Sequence, residues 1–183
     1  MKLIGVLHAG LLVVLWPGAI LAEELPKSPV CWPLHFAGVT ASVNVEAEVQ
    51  RLLGPGILRD RDGDRSRHYV DSTHTATLSF DFSDSLVEQI TVQEGIGADL
   101  KPGDLKRATS KWFDPKERFG NWGALHLGSS RDEVAENLGM PQEKPEPGQW
   151  RYQSKCTCEL PEYFTVYFKG DRVTKIVFSA PSG

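Results

Sequence analysis

Five apolar positions in the first half of this chain recur 86 residues later. Leu78, Phe80, Phe82, Val87 and Ile90 correspond to Phe164, Val166, Phe168, Val173 and Ile176 (164 − 78 = 86, and likewise for the other four). Leu52-Leu53-Gly54 and Leu138-Gly139 each close a helical pattern upstream of these runs. A self-match of this period constrains the fold more than any local motif, because it implies one supersecondary unit used twice. Both copies read helix first, strands after. The fold class expected is therefore α+β: two tandem units, each a helix packed on a small antiparallel β-sheet, with the two sheets able to align into one concave surface.

The local chemistry fills in the elements. Val45, Val49 and Leu52 form one stripe, with Asn44 as N-cap and Gly54-Pro-Gly56 as stop, so a helix is predicted over 44–53. Ser130 and Glu133 make a capping box, Val134 and Leu138 a stripe, and Gly139 and Pro141 a stop, so a second is predicted over 130–138. Strands are predicted over 68–71, 75–82 and 87–92, and again over 150–153, 163–168 and 173–179. Ser83-Asp-Ser85 and Gly170-Asp171 supply the hairpin turns, and Asp60-Arg-Asp-Gly-Asp64 a polar turn before the first set. Period-two alternation sends Leu78, Phe80, Phe82, Phe164, Val166 and Phe168 towards the helices. Thr77, Ser79, Asp81, Thr165 and Tyr167 face away.

The first 22 residues read as an export signal. Lys2 precedes an apolar run, Leu11 to Trp16, and small residues lie at Ala19 and Ala22. The run is broken by Pro17-Gly18 and is shorter than the ~20 residues of a membrane span. Cleavage after Ala22 leaves 183 − 22 = 161 residues, enough for one good core or two modest ones. The expected division is 1–22 signal peptide, 23–94 first repeat, 95–121 linker or opening helix of the second repeat, and 122–183 second repeat. The expected location is periplasmic or secreted.

Twenty basic residues stand against 24 acidic ones, and losing Lys2 with the signal takes the net charge from −4 to −5. That balance disfavours nucleic acid, whose phosphates need clustered positive charge. Asp99 to Arg118 nevertheless holds six basic and four acidic residues. Cys31, Cys156 and Cys158 meet an oxidising compartment after export, so a disulfide is expected. Cys31 with Cys156 or with Cys158 is favoured, since Cys156 with Cys158 closes a very tight ring. No His lies near Cys156 and Cys158 in sequence to complete a zinc set.

Catalytic signals are weak. His68, Asp71 and His74 form the densest polar cluster and provide a base, an orienter and potential metal ligands. On a continuous strand Asp71 points away from both histidines, so surface residues flanking a hairpin is the simpler reading. Asp60, Asp62 and Asp64 lack the glycine and glutamate placement of a calcium loop. There is no nucleophile elbow and no phosphate-binding glycine loop. No catalytic residue, metal or cofactor is expected. Large rings, by contrast, are plentiful: Trp112, Trp122, Trp150, Tyr152 and Tyr167 lie in the second half. Such rings anchor protein interfaces as well as cores. Tyr167 faces away from the helix, flanked by Lys175 and Arg151, and with Trp112 and Trp122 forms the candidate partner-binding set.

One order of motifs resembles a known family. Gly128-Ser-Ser-Arg-Asp-Glu-Val134, Leu138-Gly-Met-Pro141, Trp150-Arg-Tyr152 and the strands from Phe164 to Phe178 resemble the repeat of β-lactamase inhibitory proteins and of the related SmpA/OmlA-type outer-membrane assembly lipoproteins. The first half follows the pattern loosely, since Gly54-Pro-Gly56 replaces the helix stop and no Trp precedes Tyr69. The resemblance places Trp150 and Tyr152 in the repeat scaffold. It implies an exported, non-catalytic module that binds proteins through the exposed sheet face. The assembly lipoproteins carry a lipidated N-terminal Cys, which this chain lacks. The function expected is an exported binding protein that inhibits or neutralises a protein partner, a hydrolase or an envelope-acting toxin, as an immunity protein does. The alternatives are an envelope assembly or scaffold factor, and a small hydrolase using His68, Asp71 and His74.

Overall fold

The computed structural model describes residues 35–117, 125–153 and 163–180. Cys31, Cys156, Cys158, Trp122 and the expected signal segment lie outside them. A short ribbon, β1 (His35–Phe36) and β2 (Val39–Thr40), leads into helix α1 (Glu46–Leu53). Strands β3 (Ile57–Arg61), β4 (Asp64–Val70), β5 (Ala76–Ser83) and β6 (Leu86–Glu94) follow. A single 3-10 turn (Pro102–Asp104) and helix α2 (Leu105–Ala108) come next. Helix α3 (Arg131–Leu138) then precedes β7 (Gln149–Gln153), β8 (Tyr163–Lys169) and β9 (Arg172–Ser179).

The expectation of two helix-on-sheet units is corrected here. Strands β3 to β9 form one antiparallel seven-stranded sheet, in the order β3-β4-β5-β6-β9-β8-β7, and among the described residues the α-helices are three and short. The reason lies in edges and areas. β6 and β9 would each be an open edge of a separate half-sheet, with unpaired backbone groups along it. Pairing them, from Gln89 opposite Ser179 to Gln93 opposite Lys175, satisfies both edges at once. Each longer helix contributes two buried apolar side chains, Val49 and Leu53 from α1 and Val134 and Leu138 from α3. Two such side chains are worth about 3–6 kcal/mol. Ordering eight residues costs more, at roughly 1–2 kcal/mol each. Neither helix can therefore underwrite a unit alone, and one hydrophobic core gathers residues from both halves, including Tyr69, Phe80, Ile90, Tyr152, Phe164 and Phe178.

The local signals explain the elements within that sheet. In α3, Ser130 accepts from the Glu133 amide (3.1 Å) and the Glu133 carboxylate accepts from the Ser130 amide (2.6 Å). Glu133 is held below the usual carboxylate range, chiefly by that amide. The first helix differs from expectation. It starts at Glu46, and Asn44 serves the preceding loop instead, accepting from the Thr40 amide (2.6 Å) and donating to Glu48 (2.8 Å). The carboxylate of Glu46, itself buried, meets Arg65 at 2.8 Å and also pairs with buried Arg67, fixing the helix start to β4. At the other end of each helix a buried tyrosine hydroxyl donates to the carbonyl of the stop glycine: Tyr69 to Gly54 (3.0 Å) and Tyr152 to Gly139 (3.1 Å). Burial pushes both phenols well above their ordinary ionisation range.

The expected polar turn over 60–64 is another correction. Asp60 and Arg61 end β3, Asp64 opens β4, and only Asp62 and Gly63 turn the chain, both at positive φ (55° and 95°). Asp-Gly is the residue pair that a two-residue hairpin of this twist demands.

A second layer covers part of the sheet's far face. Leu100, Leu105 and Ala108 pack on Ile57 and Val70, which point away from the main core. Arg59 holds this segment by donating to the Asp99 carbonyl (2.9 Å) and pairing with Asp104 (2.5 Å), and Arg61 adds Asp99 at 3.3 Å. The Ser110 amide then bonds the Val70 carbonyl (2.9 Å), and Phe113 stacks edge-on against Phe36 at 6.0 Å. Residues 97–108 thus roof β3 and β4 and reach β5, where the Gly97 amide donates to Thr77 Oγ1 (2.8 Å); the rest of that side, on β5, β6, β9, β8 and β7, is termed the open face.

Candidate functional site

The open face is set by strict alternation. Cross-strand partners share a face, so the register fixes it. Phe80 faces Ile90 and Phe164 faces Phe178 on the core side, while Asp81 faces Gln89, Tyr167 faces Lys175 and Arg151 faces Thr165 on the open side. The centre of the open face is lined by short side chains, with Thr91 opposite Val177 and Thr165 beside it. Thr91 and Thr165 are themselves buried, 6% and 7% exposed, among the longer polar side chains around them.

Of the five residues expected to bind a partner, the structure brings three to this face. The Lys175 ammonium lies 5.3 Å from the Tyr167 ring centroid. Arg151 lies 5.8 Å from the Tyr163 ring and 3.2 Å from Glu143. Both contacts match cation–π geometry, which in such half-exposed positions is worth ~0.5–1 kcal/mol. Trp112 is elsewhere, 63% exposed on the segment beyond α2. Trp122 falls outside the described residues. Trp150 and Tyr152 point to the core side, 8% and 0% exposed.

Sequence reasoning missed the other end of the face. Gln89 donates to Asp81 (2.6 Å) and accepts from Ser179 (2.9 Å), a chain of hydrogen bonds crossing β5, β6 and β9. It borders a cleft of about 490 Å³ lined by Asp64, Arg65, Ser66, Asp81, Phe82, Glu88, Gln89, Tyr163, Ser179 and Ala180. Burial raises the Asp81 carboxyl above the usual range, against the lowering effect of Gln89, and Asp99 reinforces the rise. The signal for Asp81 was an acid between Phe80 and Phe82; for Tyr163 it was the Tyr163-Thr165-Tyr167 alternation. Neither revealed the cleft, because Ser179 and Gln89 meet only through the β6–β9 pairing.

The histidine cluster separates. Asp71 is 2% exposed and accepts five hydrogen bonds within its own turn, from the amides of Thr73 (3.0 Å), Thr75 (2.7 Å) and Ala76 (2.7 Å) and the hydroxyls of Thr73 and Thr75. Burial alone would raise its pKa, but the hydrogen bonds from Thr73, Ala76 and Thr75 outweigh it and hold the carboxyl below the usual range. His68 is buried beneath the roof with Ser66 Oγ at 2.9 Å from Nε2, and desolvation lowers its pKa. His74 instead meets Thr109 Oγ1 at 2.9 Å. Asp71 therefore organises a turn and orients neither imidazole. Among the described residues no group of three or more His, Cys, Asp or Glu side chains is arranged to hold a metal ion.

No family model matches the chain, and no curated protein matches it. Two solved structures are similar. One is a DUF4309 family protein (YjgB) from Bacillus subtilis, 14% identical, with a TM-score of 0.45 over 79% of this chain and 83% of that one. The other is an extracellular protein containing an SCP domain from Bacillus anthracis, 10% identical, with a TM-score of 0.42 over 74% of this chain and 43% of that one. This chain thus spans less than half of the second protein. Among the described residues no helix is long and apolar enough to cross a membrane.

Proposed function

We propose that this is an exported, non-catalytic binding protein that uses the open sheet face to inhibit or neutralise a protein partner, a hydrolase or an envelope-acting toxin. The observation that carries this reading is the Tyr167–Lys175 cross-strand pair, standing with Arg151 and Tyr163 beside a centre of short side chains. Tyrosine and arginine on a rigid sheet offer large contact area at low ordering cost, which is the composition of interface hot spots. The face is uneven in charge: Lys175 stands at one end of the strands, and at the other the cleft gathers Asp64, Asp81 and Glu88 with Arg65. A partner with the opposite polarity would dock in one orientation. A stable complex needs about 800 Å² per partner, which five neighbouring strands are broad enough to supply.

The test is capture with residues 23–183 from envelope and secreted fractions, followed by assay of the captured enzyme or toxin and by Tyr167→Ala. One dominant hydrolase or toxin, inhibited by the protein and bound about tenfold or more weakly by the variant, supports the reading. Capture of membrane-assembly components with no effect on any activity shifts it to a scaffold role. Binding unchanged in Tyr167→Ala removes the open face as the site.

A further inference from the structure

The roof segment carries a second surface, of different chemistry. Its inward residues are Leu105, Ala108, Ser110 and Phe113, of which the last three are at most 4% exposed. Its outward residues are Lys106, Arg107, Lys111 and Trp112, all exposed. Trp112, at 63%, is nearly the most exposed large apolar side chain described, and the Lys111 ammonium lies 4.7 Å from its ring centroid. Lys106 to Trp112 is a six-residue step, so these four groups lie within about 20 Å of one another. Two of the segment's four acids are neutralised by arginines of β3. Asp99 pairs with Arg61 and Asp104 with Arg59. Asp114 and Glu117 keep their charge, accepting from the backbone amides of Lys116 and Ala37. None of the salt bridges among the described residues uses Lys106, Arg107, Lys111 or Lys116. Lys106, Arg107, Lys111 and Lys116 thus outnumber Asp114 and Glu117 in a cationic patch around an exposed indole, on a chain of net charge −4.

We propose that this patch docks the protein peripherally on an anionic phospholipid surface. An indole has an apolar body and a polar N–H, and its preferred level is the headgroup boundary of a bilayer. Lysine and arginine stems lie along that boundary with their charges among lipid phosphates. The attraction is additive per cation and acts within a Debye length. With Trp112 as its apolar anchor, the attachment is reversible and dependent on charge.

The test uses the protein from residue 23 onwards with vesicles of phosphatidylcholine alone and of equimolar phosphatidylcholine and phosphatidylglycerol. Co-sedimentation with the anionic vesicles only, lost in about 1 M salt where the Debye length is ~3 Å, is the expected result. Reversing Lys106, Arg107 and Lys111 to Glu is expected to weaken it at least about tenfold, with an unchanged far-UV circular dichroism spectrum. Quenching of tryptophan emission by brominated lipid is expected to fall in Trp112→Phe. Equal binding to neutral vesicles, no binding to either, or unchanged binding by the charge-reversed variant overturns the proposal. Binding to a single-stranded oligonucleotide but not to vesicles also overturns it, in favour of a polyanion site.

Discussion

Thr91 sits directly opposite Val177 where β6 pairs with β9. These two residues are themselves 86 apart (177 − 91 = 86), the same offset that relates the alternating strands of the two halves. Repeat-equivalent positions therefore face one another at the seam. The neighbouring pairs, Ile90 with Phe178 and Val92 with Ile176, exchange places under the same offset (176 − 90 = 86; 178 − 92 = 86). The seam is a local two-fold, and the sheet is continuous through it.

That continuity predicts cooperative unfolding. The hydrophobic core collects side chains from both halves around the β6–β9 ladder, so neither half has a core of its own to keep. Urea unfolding followed by far-UV circular dichroism and by tryptophan fluorescence will give coincident single transitions. Two separated transitions would show that the two halves of the sheet unfold independently.

The tyrosine–glycine contacts predict two equal and independent losses. Tyr69→Phe and Tyr152→Phe each remove a hydroxyl bonded to a helix-stop carbonyl. Each will cost about 1 kcal/mol. β4 and β7 are five strand spacings apart in the sheet order, or roughly 24 Å. The double variant should therefore show the sum of the two losses, within ~0.5 kcal/mol. Clear non-additivity in denaturant melts would count against separate anchoring.

Asp71 predicts the acid limb of stability. Its turn hydrogen bonds hold the folded carboxyl below the ordinary carboxylate range, so the folded state binds fewer protons than the unfolded state as pH falls through that range. The contribution is present above the ordinary carboxylate range and disappears on acidification. Asp71→Ala will lower stability by about 3 kcal/mol at neutral pH, because three turn amides lose their acceptor. It will also flatten the acid side of a stability-against-pH curve. An unchanged acid limb would show that the carboxylate's hydrogen bonds do not set it.

Asp81 predicts the opposite sign. Its folded pKa is raised, so the folded state holds its proton longer, and stability declines as pH climbs from the ordinary carboxylate value through the raised one. Asp81→Asn keeps an acceptor for Gln89 and removes the buried charge. Stability at neutral pH will rise and the decline will vanish in thermal melts across pH 4–7 (the approximate span around an ordinary carboxylate). A destabilised variant would place the cost elsewhere in the cleft.

The sequence by itself determined what is decided within a few residues of the backbone. Alternation in 78–82 and 164–168 set the strands and their inner faces. The Ser130–Glu133 box set the start of α3, and Tyr167, with Lys175 and Arg151, was legible as outward-facing. Each of these depends on local periodicity or on a hydrogen bond spanning three residues, so the residues in question carry the information themselves. Tertiary structure decided the rest. β3 is short and charged, and it is a strand because β4 pairs with it and the roof packs on Ile57. Asp71 read as a surface residue flanking a hairpin, and it is buried because the turn at 71–76 closes around its carboxylate. The cleft at Asp81, and the merging of two half-sheets into one, depend on partners about 90 residues away. Edge satisfaction and shared burial choose such partners, and both are properties of the assembled sheet.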